Sequence, residues 1–231
     1  MTSAPEVAGS VAVGKLRPAS PRLGARRWVL VVREAAFITA AALLYSLVRG
    51  LTDDRTLLAL ANAERVISFE RALGIFVEPE LQAAVLDSSA VVISANAIYL
   101  AYWPIVIGVL GWLLTSHPAR YSFYRTAVLV SGAISLVVFA LFPLAPPRFL
   151  PDHGFVDTIA VHSAGYREGN ASALVNEYAA MPSLHLGWIL LASIAVTTLV
   201  RRRAVRVAAA SLPVLMLAAI VLTANHYLVD G

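Results

Sequence analysis

Five runs of about 20 predominantly apolar residues, at 28–49, 90–115, 122–144, 183–200 and 204–228, dominate this 231-residue sequence. A bilayer core of about 30 Å is crossed by roughly 20 such residues as one helix. In hydrocarbon, each spanning segment has to satisfy its backbone polar groups internally or in a closed barrel. The runs therefore predict an all-α, polytopic membrane helical bundle with five transmembrane helices. Composition agrees: 59% of residues are hydrophobic, 14% are charged and the mean hydropathy is +0.74, outside the range of soluble globular domains. The absence of cysteine removes disulfides and thiolate metal ligands and leaves the redox compartment undetermined.

Residues 1–27 are rich in small residues, proline and arginine, and lack the apolar core of a secretory signal. They predict a disordered, basic cytoplasmic tail ahead of a membrane-embedded domain at 28–231. Within the first run, Arg33 lies near enough to the start to snorkel toward the headgroups. Between the first two runs, "NAERVISFERALGIFVEPELQAAVL" mixes charges with apolar residues at helical spacing. That pattern predicts an amphipathic helix covering the bundle rather than a sixth span, with a partner-binding groove as the alternative.

Eleven of the eighteen basic residues fall in the tail, the 116–125 turn and the "RRRAVR" turn, against six in segments 49–89 and 145–182. The excess of arginine on one side predicts a cytoplasmic N-terminus and argues for membrane topology, not nucleic-acid binding. Parity then carries three polar clusters to the extracytoplasmic side: "PLAPPRFL" (143–150), "MPSLHLGW" (181–188) and "TANHYLVDG" (223–231). They supply Arg148, Ser183, His185, His226 and Asp230, and ionisable groups at membrane depth usually mark function.

The chemistry of these groups is complementary. On a helix, His226 and Asp230 stack four residues apart, so the carboxylate can take the proton of one imidazole nitrogen and leave the other free as nucleophile or base. Ser183 and His185 follow Pro182 at a helix start, where unpaired backbone N–H groups favour an anion. Arg148 carries a fork of donors that fits two phosphate oxygens. Phosphoryl transfer needs these parts: a nucleophile, donors on the equatorial oxygens and an acid for the leaving group. Taken singly, "PLAPPR" also fits a stiff turn and "NHYLVD" a structural pair; their convergence points to a phosphate-handling site. Two histidines and an aspartate could hold zinc, but Arg148 would set a cation beside a cation and no HExxH pairing occurs. The expectation is a site without metal or other cofactor.

From about residue 90 onward, these motifs resemble the type 2 phosphatidic acid phosphatase superfamily. Its pattern is KxxxxxxRP, then PSGH, then SRxxxxxHxxxD, on a six-helix membrane core; here the sequence stops at Gly231, where that family continues into its sixth helix. The resemblance implies that His226 is the nucleophile forming a phosphohistidine, that Asp230 orients it and that His185 protonates the leaving group. It implies that Arg148 and Ser183 hold the phosphoryl oxygens. Leu141 stands where the family has its lysine, Phe149 replaces the proline, Leu184 the glycine, and Ala219 with Ile220 the SR pair. "PPRF", "PSLH", "NHYLVD" and the upstream "FERALGIFVEPELQ" look more like the branch containing inositol phosphorylceramide synthases and their bacterial relatives. A site with fewer cations suits a singly charged phosphodiester better than a monoester, although Arg167 in "GYREGN" offers a further cation.

The expected function is thus a metal-independent lipid phosphatase or head-group phosphotransferase of the plasma membrane. Its partners would be a phospholipid or lipid phosphate, and water or a lipid hydroxyl as acceptor. The alternative is a non-catalytic lipid- or anion-binding membrane protein, or a small transporter. A transporter would more naturally show an inverted repeat and polar groups at mid-depth.

Overall fold

The computed structural model describes residues 21–50, 55–162 and 178–231. Among these residues the regular structure is helical, and one isolated parallel bridge between Leu144 and Ala179 is the sole β feature. An all-α helical bundle is therefore the fold. The expected tail lies outside the described residues as far as residue 20, and from Pro21 the backbone is helical.

The chain divides into two units, Met1–Thr39 and Ala40–Gly231. The first holds the N-terminal part of α1 (Pro21–Gly50). There Trp28, Val29, Val32 and Phe37 are exposed, which suits hydrocarbon surroundings. Arg33 and its neighbour Glu34 approach to 3.5 Å.

The second unit contains the remaining helices. The single amphipathic stretch expected over 50–89 is two helices, α2 (Thr56–Leu73) and α3 (Glu78–Leu86). Gly74 separates them. Its φ of +70° allows its own N–H to reach Arg71 O and that of Ile75 to reach Glu70 O, a paired bond pattern that closes a helix. Pro79 then sits in the first turn of α3, where its missing N–H costs nothing.

The second expected crossing is also interrupted. Helices α4 (Ser89–Leu100) and α5 (Tyr102–Ser116) meet at a bend of 42°. Pro104 accounts for it: it has no N–H for the Leu100 carbonyl, and its ring crowds that carbonyl. Among the described residues, α6 (Pro118–Leu141), the short α7 (Thr158–His162), α8 (Leu184–Leu199) and α9 (Arg203–Leu222) follow. Among the described residues three helices are long and apolar enough to cross a membrane, four if the bent α4–α5 pair is one span. α8, at 16 residues, is apolar but about 24 Å long at 1.5 Å per residue.

Among the described residues, two of three apolar clusters in this unit bear on the polar motifs, the third being Leu113, Tyr121, Tyr124 and Ala195. One lies inside the bundle, where Val106 of α5, Val128 of α6, Trp188 and Ile189 of α8 and Met216 and Ile220 of α9 pack together. The other lies under α2, whose Ala59, Ala63, Val66 and Ile67 recur at helical spacing and pack on Leu144, Ala145, Leu150, Phe155 and Tyr227. These last residues belong to the loops that carry the polar motifs, so α2 covers those loops rather than a lipid face.

Candidate active site

The three motif loops are stitched together by backbone hydrogen bonds. Leu144 N donates to Tyr178 O and Ala180 N to Leu144 O, joining the first loop to the second. Arg148 N donates to Ala224 O, joining the first to the third, and Ser183 N donates to Asp230 O at 2.7 Å, joining the second to the third. Convergence that parity alone suggested is thus realised as direct contact.

The sequence predicts a last helix reaching about residue 228 and a helical stacking of His226 and Asp230 four residues apart. Instead α9 ends at Leu222. Asn225 N donates to Ile220 O and Ala224 N to Val221 O, the same closing pattern seen after α2, with Ala224 at φ +52° in the place usually taken by glycine. The chain then runs extended through Tyr227 into a 3-10 turn, Leu228–Asp230. This turn still brings His226 Nδ1 to 3.1 Å from Asp230 Oδ1, with both residues buried. Burial pushes the Asp230 carboxyl above its usual range, and the contact with His226 opposes that shift.

With Nδ1 committed to Asp230, the free nitrogen of His226 is Nε2, which faces His185 Nδ1 at 3.4 Å. His185 lies in the first turn of α8. Its ring stacks on Tyr99 at 4.3 Å and meets Tyr102 at 4.0 Å, at the two sides of the α4–α5 bend. Both tyrosines were missed by sequence reading, although their spacing of three puts them on one side of a helix.

Ser183 is the N-cap of α8. Its Oγ accepts from Leu186 N at 3.4 Å and its own N–H is given to Asp230 O, so both groups serve the local fold in this arrangement. Arg148 sits in a 3-10 turn, Pro147–Phe149, with its guanidinium over the Phe149 ring at 4.7 Å. It donates to Asn225 Oδ1 and lies 3.7 Å from Asp157 Oδ2. Asn225, adjacent to His226 and itself tied to Thr223, was overlooked although it stands within the third motif. Arg167 lies outside the described residues.

Three departures from the expected pattern have a structural counterpart. Leu141, in the place of the lysine, is 77% exposed on the last turn of α6, and Ala219 and Ile220, in the place of the SR pair, are buried in the bundle. None of these positions offers a cation to the site. Among the described residues no three His, Asp or Glu side chains are arranged to hold a metal ion.

The arrangement can hold one imidazole in a fixed tautomer, present its second nitrogen to an electrophile, and set a second imidazole and a guanidinium nearby. In comparisons with known proteins, the sequence model of a family described as PAP2 superfamily matches residues 64–231. Comparison with individual curated proteins and with solved structures gave no match.

Proposed function

The chain belongs to the PAP2 superfamily, which points to phosphatase or phosphotransferase activity, and we propose that it acts on a phospholipid or lipid phosphate through a phosphohistidine on His226. One observation carries this reading: a buried imidazole is held by Asp230 on one nitrogen while the other faces a second imidazole. In the first half-reaction the Nε2 lone pair of His226 forms the N–P bond as the P–O bond to the leaving group breaks. His185 gives its proton to the departing oxygen, and Arg148 binds the equatorial oxygens. In the second, water or a lipid hydroxyl attacks phosphorus, its proton passes to His185, and the N–P bond breaks. Asp230 fixes the tautomer and balances the positive charge that develops on His226.

A lipid substrate is supported by the surroundings of His185. His185 opens the apolar helix α8 and lies against Tyr99 and Tyr102, and among the described residues three helices, four if the bent α4–α5 pair is one span, are long and apolar enough to sit beside lipid tails. The cation-poor surroundings of Arg148 favour a phosphodiester, hence head-group transfer between lipids, over a doubly charged monoester. On the arginine distribution the site faces the extracytoplasmic side of the plasma membrane, with the N-terminus inside.

The test uses purified protein and its His226→Ala variant, each incubated with chelator and a mixture of phosphatidate, isoprenyl diphosphate and phosphatidylinositol plus ceramide. Mass spectrometry of the products then separates the cases. A new phosphodiester lipid from wild type alone supports transfer; release of inorganic phosphate makes the protein a phosphatase and removes the transfer reading. Turnover that survives in His226→Ala overturns the phosphohistidine mechanism.

A further inference from the structure

Two carboxyl groups outside the three motifs reach the turn that spaces His226 from Asp230. Glu70, in the last turn of α2, and Glu78, at the start of α3, are both fully buried. Glu78 Oε1 accepts from Leu228 N at 2.8 Å and Glu70 Oε1 from Val229 N at 3.0 Å. Those N–H groups belong to the two residues immediately before Asp230, where the 3-10 turn leaves them without a helical partner. Gln82, one turn further along α3, accepts from Val156 N and donates to Val156 O and Leu222 O, so the same helix also grips the end of α9.

The two acids are not equivalent. Glu78 uses both oxygens as acceptors, the second for Val77 N at 2.9 Å. Glu70 uses one; its Oε2 is buried and meets no donor, and the two carboxyl groups are set side by side by the consecutive N–H groups they bind. Two ionised carboxylates side by side repel in a buried setting, whereas one shared proton turns the contact into a strong hydrogen bond. The unpaired oxygen of Glu70 is the position at which one proton relieves that repulsion.

We propose that Glu70 and Glu78 act as one singly protonated carboxyl pair that positions the 226–230 turn and, through it, the His226–Asp230 contact. This rests on the reading of His226 as nucleophile; both acids are positioning residues, since neither touches the reacting atoms. Burial, reinforced by Glu78 and Asp230, pushes Glu70 up to about 8. Among the described residues, the charged and titratable groups that bear on it are Glu78 from α3 and Asp230 and Tyr227 from the final segment, all acidic. Arg71, next to it on α2, is turned instead toward His153 and Phe76. No cation in this set relieves a second negative charge, so raising the pH through about 8 loosens the pair.

The inference separates two isosteric variants. Glu70→Gln keeps an oxygen for Val229 N and supplies an N–H to Glu78, reproducing the protonated state. Glu78→Gln has one oxygen for two backbone donors and sets its amide N–H against Leu228 N or Val77 N. Hydrogen exchange of the full chain in detergent, followed at the 222–231 peptide with the α9 peptide as folding control, reads the turn without any substrate. Expected is wild-type protection in Glu70→Gln, maintained at pH 9 where wild type loses it, and loss of protection in Glu78→Gln. On a turned-over lipid, Glu70→Gln should stay within about twofold of wild type. Glu78→Gln should lose roughly tenfold or more in kcat with KM little changed, because misplacement of a nucleophile by a fraction of an ångström carries that cost.

Equal behaviour of the two Gln variants, or faster exchange in Glu78→Gln with unchanged His226-dependent kcat, overturns the proposal. If Glu78→Gln does not fold, the pH 9 comparison of wild type with Glu70→Gln decides alone, and identical protection there overturns it. A wild type inactive on every lipid tells against the proposed function, while the exchange measurements still determine whether the pair holds the turn.

Discussion

In the bundle formed by α5, α6, α8 and α9, the core cluster is apolar, with Val106, Ile189, Met216 and Ile220 in it, and its polar side chains serve neighbours in the bundle, as where Trp188 Nε1 donates to Ser131 Oγ. Where α2 and α3 meet the motif loops, the buried set is different. Asn62 donates to Pro143 O, Gln82 and Glu78 bind the backbone around α9 and the final turn, and Tyr227 Oη donates to Ala145 O. Helices surrounded by lipid satisfy their own backbone and associate by close packing. Loops have no such internal solution, so the turns that carry site residues give their N–H and C=O groups to one another's backbones and to side chains of α2 and α3. The bundle supplies the scaffold, and the α2–α3 layer supplies the polar partners that hold the site's geometry.

That division predicts opposite phenotypes. Arg148→Ala should lower turnover about a hundredfold, the scale of losing one donor to a phosphoryl oxygen, while the thermal unfolding temperature stays near wild type; a large drop in stability with intact kcat would break the division. Ile189→Ala, fully buried in the bundle, should do the reverse. It should cost on the order of 2–3 kcal/mol through the cavity it leaves, with KM and kcat preserved in the protein that remains folded. Tyr227→Phe removes one buried hydrogen bond between the third and first motif loops, under α2, and should cost about 1 kcal/mol, read by detergent unfolding.

The pH dependence of stability sharpens the same comparison. Glu70 is raised from 4.5 to about 8 in the folded protein. A raised carboxyl favours the folded state below its unfolded value, and that contribution is lost as pH rises through the folded value. The unfolding temperature of wild type, relative to Glu70→Gln, should therefore fall between pH 4.5 and 8 and level off above it; a difference independent of pH would place no shared proton on the pair. The smallest effect belongs to Ala224. Its positive φ costs about 1 kcal/mol, but its methyl is buried, so Ala224→Gly should change stability by less than about 0.5 kcal/mol.

Much of the scaffold was legible in the sequence, because apolar length is a direct record of hydrocarbon contact. Two boundaries were not. The 90–115 run conceals the break at Ala101, since every neighbour of Pro104 is apolar and only the missing N–H of that proline interrupts the ladder. The last helix was read to 228 because Leu228 and Val229 prolong the apolar pattern, whereas the turn that ends it at Leu222 places alanine, not glycine, at the left-handed position. His226, Asp230, His185 and Arg148 stood out as ionisable groups beside membrane runs. Asn225 was hidden by being uncharged. Glu70 and Glu78 were hidden because they act on backbone N–H groups 159 and 150 residues away, and a sequence does not show which backbone groups a fold leaves without partners.

The most direct test of the central claim is to mix the protein with a lipid substrate carrying radiolabelled phosphorus, quench within the first turnover, and follow the label on the chain. The account predicts acid-labile, alkali-stable label on the peptide containing His226, absent in His226→Ala and accumulating in His185→Ala when a good leaving group bypasses the need for acid. Label on another residue, or full turnover with no labelled protein at any quench time, would contradict it.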